Sequence, residues 1–130
     1  MNLPIILTGK IIHGKGLGRT VGMPTANLRF ADMDLLPEEG VYATRIFVNG
    51  GWFHSVTNIG RRPTVDSEES ITVETYILDF DEDIYGETVE LEVRKFLRPI
   101  QKFENLEEVH EQVKKDIEQA KNYLDIVLTK

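Results

Sequence analysis

A glycine-rich stretch near the N-terminus is the first part of this chain that could do chemistry. Glycines that are close together let a backbone turn sharply and expose its N–H groups, which is what a phosphate group binds. Lys15 and Arg19 add positive charge here, and residues 13–22 contain no acid. The stretch therefore predicts a nucleotide-binding segment made of Lys15 and the glycines Gly14, Gly16, Gly18 and Gly22.

Two oxygen-bearing side chains follow that stretch. Thr25 and Asn27 are two residues apart, so on an extended segment they face the same side. Mg²⁺ prefers oxygen ligands and keeps several of its waters and phosphate ligands when a protein binds it. Thr25 and Asn27 are therefore predicted to bind the nucleotide phosphates and a magnesium ion.

The glycine pattern excludes two common nucleotide folds. A dinucleotide-binding fingerprint starting at Gly16 would need glycine at position 21, where Val21 stands. A P-loop would need glycine at position 13 and lysine at position 19, where the chain has His13 and Arg19. The glycine-rich stretch alone is therefore either an ordinary flexible connection or a phosphate-binding loop of another architecture.

Several blocks of the sequence, in order, resemble riboflavin kinase (flavokinase). That domain stands alone in some organisms and forms the C-terminal half of a bifunctional riboflavin kinase/FAD synthetase in many bacteria. The resemblance implies that residues 1–130 are one riboflavin kinase domain, which transfers the ATP γ-phosphate to the 5′-hydroxyl of riboflavin and gives FMN and ADP. The matching blocks are Gly9–Gly14, Gly22–Leu28, Leu36–Pro37, Gly40–Ala43, Asn58–Thr64, Val73–Glu74, Asp79–Phe80, Ile84–Gly86, Phe96–Pro99 and Phe103.

Composition limits the partners of the chain. With 130 residues, 41% hydrophobic and 28% charged, it has the size and composition of one globular domain. The net charge of −7 argues against nucleic acid, and the apolar run at residues 3–7 is too short to span a membrane. The chain has no cysteine, which fits a reducing compartment. We expect a cytoplasmic protein that is monomeric in isolation.

Hydrophobic periodicity predicts a β-rich body followed by one helix. Apolar residues recur at helical spacing from Leu106 to Val127, with Asn105 as N-cap, and predict a helix over about 106–128. Several antiparallel strands between about residues 5 and 98 suggest a small barrel. The resemblance implies a mainly β fold: a six-stranded antiparallel, Greek-key-like barrel with the C-terminal helix beside its mouth. The pattern itself gives strands at Ile5–His13, Gly40–Val48, Trp52–Asn58, Ile71–Phe80 and Thr88–Leu97. The Asn49-Gly50 pair predicts a tight hairpin between the second and third of these strands.

Glu74 is the candidate for the catalytic base. Its neighbours on the same strand face, Tyr76 and Leu78, are large, so the carboxylate would be partly desolvated and a better base. The residues alone favour a Glu74 side chain that lies at a strand edge and points to water. The resemblance assigns it the catalytic role, because the Val-Glu pair matches the position of the family's catalytic glutamate.

The resemblance also implies two substrate loops on the flavin side. By this resemblance, Asn58, Gly60 and Pro63 are expected in one loop and Arg98 in the other. An arginine after a strand is also often only a solvated or ion-paired side chain, and this alternative stays open for Arg98. The acids at Asp79–Asp83 lack the central glycine of a calcium loop, so we expect a polar β-hairpin turn there.

Two rival functions stay open. A non-catalytic barrel that binds flavin or nucleotide as a regulator would keep the loops without working Thr25, Asn27 and Glu74. An oligonucleotide-binding barrel would need a basic groove with aromatic residues, which this acidic chain lacks.

Overall fold

A computed structural model describes residues 3–12, 25–63, 69–80 and 82–128 of the protein. These residues form a six-stranded barrel with one long helix. A short 3₁₀ turn, Met33–Leu35, precedes the third strand. The strands are β1 Ile5–Ile12, β2 Ala26–Phe30, β3 Gly40–Val48, β4 Gly51–Pro63, β5 Glu69–Ile77 and β6 Thr88–Arg98, and the helix is α1 Leu106–Leu128.

The six strands close in the order β1-β2-β5-β4-β3-β6, and every neighbouring pair is antiparallel. Strands β2 to β5 form a Greek key, since β3, β4 and β5 follow one another and β2 lies beside β5. The predicted fold class is confirmed. The strand β2 was absent from the pattern-based assignment, because five residues give too short a run for clear alternation.

The barrel interior is filled by alternate residues of every strand. In β1 these are Leu7, Gly9 and Ile11, all of them buried. Gly9 lies directly opposite Phe30 of β2, and a Cβ on Gly9 would come within 2.6 Å of the Phe30 ring. Glycine at this position therefore lets a phenylalanine ring lie across the backbone of the neighbouring strand.

The helix α1 packs against the outer wall of the barrel, mainly on β3, β4 and β6. Its buried residues Val113, Ala120 and Leu124 form a second core with the outward-facing side chains of the strands, such as Val56 and Tyr76. This position differs from the predicted one beside the barrel mouth. A single amphipathic helix needs an apolar partner, and the outer wall supplies it.

The start of α1 agrees in part with the sequence. The Glu108 backbone N–H donates to the Asn105 side-chain oxygen at 2.9 Å, which confirms the predicted N-cap. Leu106 was counted in the apolar stripe but is 54% exposed, because it lies in the first turn, beyond the strands that cover the rest of the stripe.

Among the described residues, no helix is long and apolar enough to cross a membrane.

Of three predictions about the segments that connect the strands, the structure confirms one and contradicts two. Asn49 and Gly50 both have positive φ, 51° and 79°, as the predicted tight hairpin between β3 and β4 requires. The predicted hairpin after β5 is wrong, since β5 and β6 are not neighbours and the segment between them crosses to another part of the barrel. Strand β4 continues to Pro63, so Asn58, Gly60 and Pro63 lie on a strand and not in a loop.

Candidate active site

The strand register brings four of the predicted site residues into one row around the barrel. Asn27 lies opposite Glu74, and Glu74 lies opposite Asn58 on its other side. Asn58 is paired with Val41, which is paired in turn with Arg98. Directly opposite residues in antiparallel strands have Cα atoms about 4.5–5.5 Å apart and point to the same face. The carboxylate of Glu74 is therefore flanked by the carboxamides of Asn27 and Asn58.

This row faces outward, on the side of the wall that carries α1. The neighbours of Glu74 along β5, Val73 and Thr75, are buried inside the barrel, so Glu74 points to the outer face. Its side chain is half-buried, and β5 is paired on both sides, so Glu74 is not at a free strand edge. The carboxylate is thus partly withdrawn from water but reachable by a substrate.

Tyr76 is the next outward residue on β5 and lies under the helix. Burial, followed by the nearby carboxylates of Glu74 and Asp116, raises the pKa of Tyr76 to about 12. The phenol therefore stays protonated at neutral pH and is a hydrogen-bond donor beside the row of polar groups.

Four buried hydroxyls lie on the inner face behind the row. Ser55 and Thr44 are 2.6 Å apart, Thr44 and Thr57 are 2.9 Å apart, and Thr57 and Thr75 are 2.8 Å apart. Each hydroxyl finds a partner, which avoids the cost of an unsatisfied buried polar group. This chain of contacts crosses β3, β4 and β5 and supports the register that places Asn58 beside Glu74.

The predicted magnesium and phosphate ligands lie at the start of β2. Thr25 comes one residue before the strand, Asn27 lies within it, and both are half-buried. Ile12, the last residue of β1, is paired with Asn27, so described residues from both sides of the glycine-rich segment lie next to each other at the row. The predicted nucleotide-binding residues Gly14, Lys15, Gly16, Gly18 and Gly22 lie outside the described residues.

The predicted flavin-side residues of β4 differ in surroundings. Asn58 belongs to the row, whereas a Cβ on Gly60 would come within 2.9 Å of the Thr72 hydroxyl oxygen, so glycine permits a close approach of β5. The backbone of Pro63 is paired with Glu69 at the end of β4. Arg61 donates from its backbone to the Glu39 carboxylate and from its guanidinium to the Leu36 and Pro37 carbonyls, which fixes the segment before β3.

Arg98 ends β6 and is joined to the helix. Its Nε and Nη2 donate to the two carboxylate oxygens of Asp116, each at 2.8 Å, and its Nη1 donates to the Pro99 carbonyl at 3.1 Å. Gln112 adds a third hydrogen bond to Asp116, at 3.1 Å. The guanidinium also lies 5.9 Å from the centre of the Phe103 ring. Arg98 thus connects the end of the row to α1 and to the segment before it.

An open cleft of about 410 Å³ lies between that segment and the first turns of α1. The cleft is open to solvent, and its lining is one aromatic residue, Phe103, with seven polar or charged residues. The lining residues are Gln101, Phe103, Asn105, Glu107, Glu108, Glu111, Gln112 and Lys115.

Asp116 and Gln112 were missed by the sequence reasoning. Asp116 follows the buried Val113 by three positions, and its burial in the middle of an amphipathic helix required a cationic partner. The available signal was an acid three positions after Val113, on the apolar side of the helix, but this spacing does not identify Arg98 as its partner. Within the described ranges, no group of three or more His, Asp or Glu side chains could hold a metal ion.

The fold is thus a small closed antiparallel barrel with a row of polar residues on its outer wall, beside a long helix. The sequence model of the flavokinase family, described as riboflavin kinase, matches residues 1–124. The chain therefore belongs to the flavokinase family, as its resemblance to that family predicted.

Relatives agree with this assignment. The bifunctional riboflavin kinase/FMN adenylyltransferase of Listeria monocytogenes is 40% identical over 116 residues, which are 89% of this chain and 37% of the relative. A Bacillus subtilis protein named as an RNA-binding riboflavin kinase is 40% identical over 112 residues, 86% of this chain and 48% of the relative. This chain spans about two fifths of the bifunctional relatives.

Two solved structures share the fold. Riboflavin kinase from Trypanosoma brucei is 28% identical with a TM-score of 0.68, over 95% of this chain and 82% of that one. A protein from Streptococcus pneumoniae described as a macrolide-efflux protein is 34% identical with a TM-score of 0.86, over 92% of this chain and 39% of that one.

Proposed function

We propose that this chain is a riboflavin kinase: it transfers the γ-phosphate of ATP to the 5′-hydroxyl of riboflavin and gives FMN and ADP. One observation carries the proposal beyond family membership. Residues predicted separately for metal binding, base catalysis and substrate binding, namely Asn27, Glu74 and Asn58, are direct neighbours on three adjacent strands.

Glu74 would accept the proton of the riboflavin hydroxyl as its oxygen attacks the γ-phosphorus. Partial burial favours a carboxylate that takes up a proton, and phosphoryl transfer depends on positioning the acceptor hydroxyl. The carboxamides of Asn27 and Asn58 lie on both sides and can orient the hydroxyl and the phosphate oxygens. Residues 1–130 would act as one domain in this reaction.

Magnesium fits the oxygen ligands at the start of β2. The Asn27 amide oxygen and the Thr25 hydroxyl are neutral, and Glu74 is the paired carboxylate across the strand. A bound magnesium ion would offset phosphate charge, and neutral ligands suit an ion that keeps its water and phosphate ligands. The glycine-rich connection, with Gly14, Lys15, Gly16, Gly18 and Gly22, would hold the nucleotide.

The cleft at α1 supports binding of flavin on the Arg98 side. The Phe103 ring gives this cleft one aromatic surface on which a planar ligand can stack. We further propose that riboflavin, FMN, ATP and ADP are the partners of a cytoplasmic monomer that does not bind nucleic acid. The acidic charge of −7 supports the last point.

Product formation tests the proposal. The protein is incubated with riboflavin and Mg-ATP, and the mixture is separated by chromatography with fluorescence detection of FMN. We expect FMN to accumulate with Mg-ATP and to be absent when the metal is chelated. Binding of riboflavin without formation of FMN would instead support the non-catalytic regulatory barrel.

A further inference from the structure

The carboxylate that holds Arg98 has no part in the proposed chemistry. The side chain of Asp116 is only 3% exposed, although it lies in the middle of α1. A buried carboxylate is costly unless it is paired and fully hydrogen-bonded, and here it accepts two N–H groups from Arg98 and one from Gln112. The helix keeps a charge at a position where an apolar residue would pack.

The Arg98 side of this arrangement fixes the chain that leaves β6. A guanidinium that donates to both carboxylate oxygens is held in one plane. From that plane its Nη1 donates to the Pro99 carbonyl, and its face lies 5.9 Å from the Phe103 ring. Phe103 is one wall of the cleft at α1.

Gln112, the second hydrogen-bond partner of Asp116, belongs to the same cleft. Gln112 lies one helical turn before Asp116, donates to it at 3.1 Å, and is one of the residues of α1 that line the cleft. The buried Asp116 carboxylate therefore holds both Gln112, which lines the cleft, and Arg98, which ends the row that contains Glu74.

We propose that Asp116 is a positioning residue for the flavin substrate. It holds Arg98 and Gln112 so that the segment Pro99–Phe103 and the first turns of α1 form a cleft that accepts the flavin ring. The inference rests on the proposed riboflavin kinase activity. Asp116 itself does not contact the reacting atoms, and its loss is expected to weaken flavin binding and to leave nucleotide binding unchanged.

The test is the variant Asp116→Asn, which keeps the shape of the side chain and removes its charge. We expect the KM for riboflavin to rise about tenfold, the effect of weakening one charge-assisted hydrogen-bonded pair. The KM for ATP is expected to stay within about threefold of the original value. Equilibrium binding of riboflavin, followed by quenching of flavin fluorescence, gives the same comparison without turnover.

Glu92→Gln is the matched control. Glu92 is also a nearly buried carboxylate, with 8% side-chain exposure, and it accepts hydrogen bonds from Arg45 and Arg94 at 2.8 Å. The strand partner of Glu92 is Arg45, and the strand partner of Arg98 is Val41. Arg45 and Val41 are four residues apart on β3, so the two pairs are separated by roughly 13 Å along the strand. We expect this control to lower thermal stability as Asp116→Asn does, with an unchanged KM for riboflavin.

Several outcomes would overturn the inference. They are an unchanged riboflavin affinity in Asp116→Asn, an equal rise of both KM values, or the same rise in the Glu92→Gln control. If Asp116→Asn does not fold, Arg98→Lys is the second variant, because lysine keeps the positive charge but cannot form the bidentate hydrogen bond to Asp116. This variant must raise the KM or the dissociation constant for riboflavin. A parent protein that binds riboflavin but makes no FMN contradicts the proposed function, whereas normal flavin affinity in the variants contradicts only the role of Asp116.

Discussion

Replacing Glu74 with glutamine is the sharpest change to the proposed chemistry. The amide keeps the size of the side chain but cannot accept a proton at neutral pH. Loss of a general base typically lowers turnover by about 10²–10⁴-fold, which is roughly 2.7–5.4 kcal/mol in activation free energy. We expect Glu74→Gln to fall in this range.

The structure predicts that the fold survives this change. Glu74 is half-buried between two carboxamides, Asn27 and Asn58, which can hydrogen-bond an amide as well as a carboxylate. A cost below about 1 kcal/mol is expected for such a site. Unfolding of 130 residues carries an entropy of roughly 0.27 kcal/mol/K, so Tm should fall by less than about 4 °C.

The assay is steady-state FMN formation, with thermal unfolding measured on the same samples. Glu90→Gln is the control, since Glu90 is an exposed carboxylate on β6, opposite Phe47 and away from the row. Turnover in the control should equal that of the parent protein. A folded Glu74→Gln variant with near-normal turnover would refute the assignment of Glu74 as the base.

Three further predictions follow from the described contacts. Thr25→Ala and Asn27→Ala should each weaken Mg-ATP turnover, and a double variant should show a non-additive loss because both groups serve one ion; additive losses in kcat/KM would mean separate roles. Leu124→Ala, at a fully buried contact of α1, should cost about 2–5 kcal/mol and lower Tm by roughly 7–18 °C, and a smaller shift in thermal unfolding would mean that the helix adds little stability. Burial alone would raise the pKa of Glu92, but the hydrogen bonds and charges of Arg45 and Arg94 outweigh burial and lower this pKa. The stability that the ionised Glu92 contributes is therefore fully present above pH 4.5, its ordinary pKa, and is lost as pH falls through the lower pKa of the folded state. In Glu92→Gln, denaturation midpoints should change less between pH 5 and 3 than in the parent, and parallel curves would contradict the pairing.

The sequence predicted the class of fold because its local signals are strong. The alternation in β6, the Asn49-Gly50 turn and the apolar stripe of α1 each depend on residues close together in the chain. Strand neighbours depend on long-range pairing, which no local pattern contains. For this reason the crossover between β5 and β6 was mistaken for a hairpin.

The candidate site was predicted residue by residue but not as an arrangement. Asn27, Glu74 and Asn58 were each singled out, yet their adjacency depends on the register of three strands that are far apart in sequence. Asp116 was missed, since its importance depends on a partner 18 positions away. The roles of these residues remain predictions until variants are measured.

The measurement that tests the central claim most directly is the fate of the γ-phosphate of ATP. The protein is given riboflavin and magnesium with ATP labelled in the γ-phosphate, and the products are separated and counted. A riboflavin kinase must place the label in FMN, in an amount equal to the ADP formed. Label found only in inorganic phosphate or left in ATP, with riboflavin unchanged, would contradict the account.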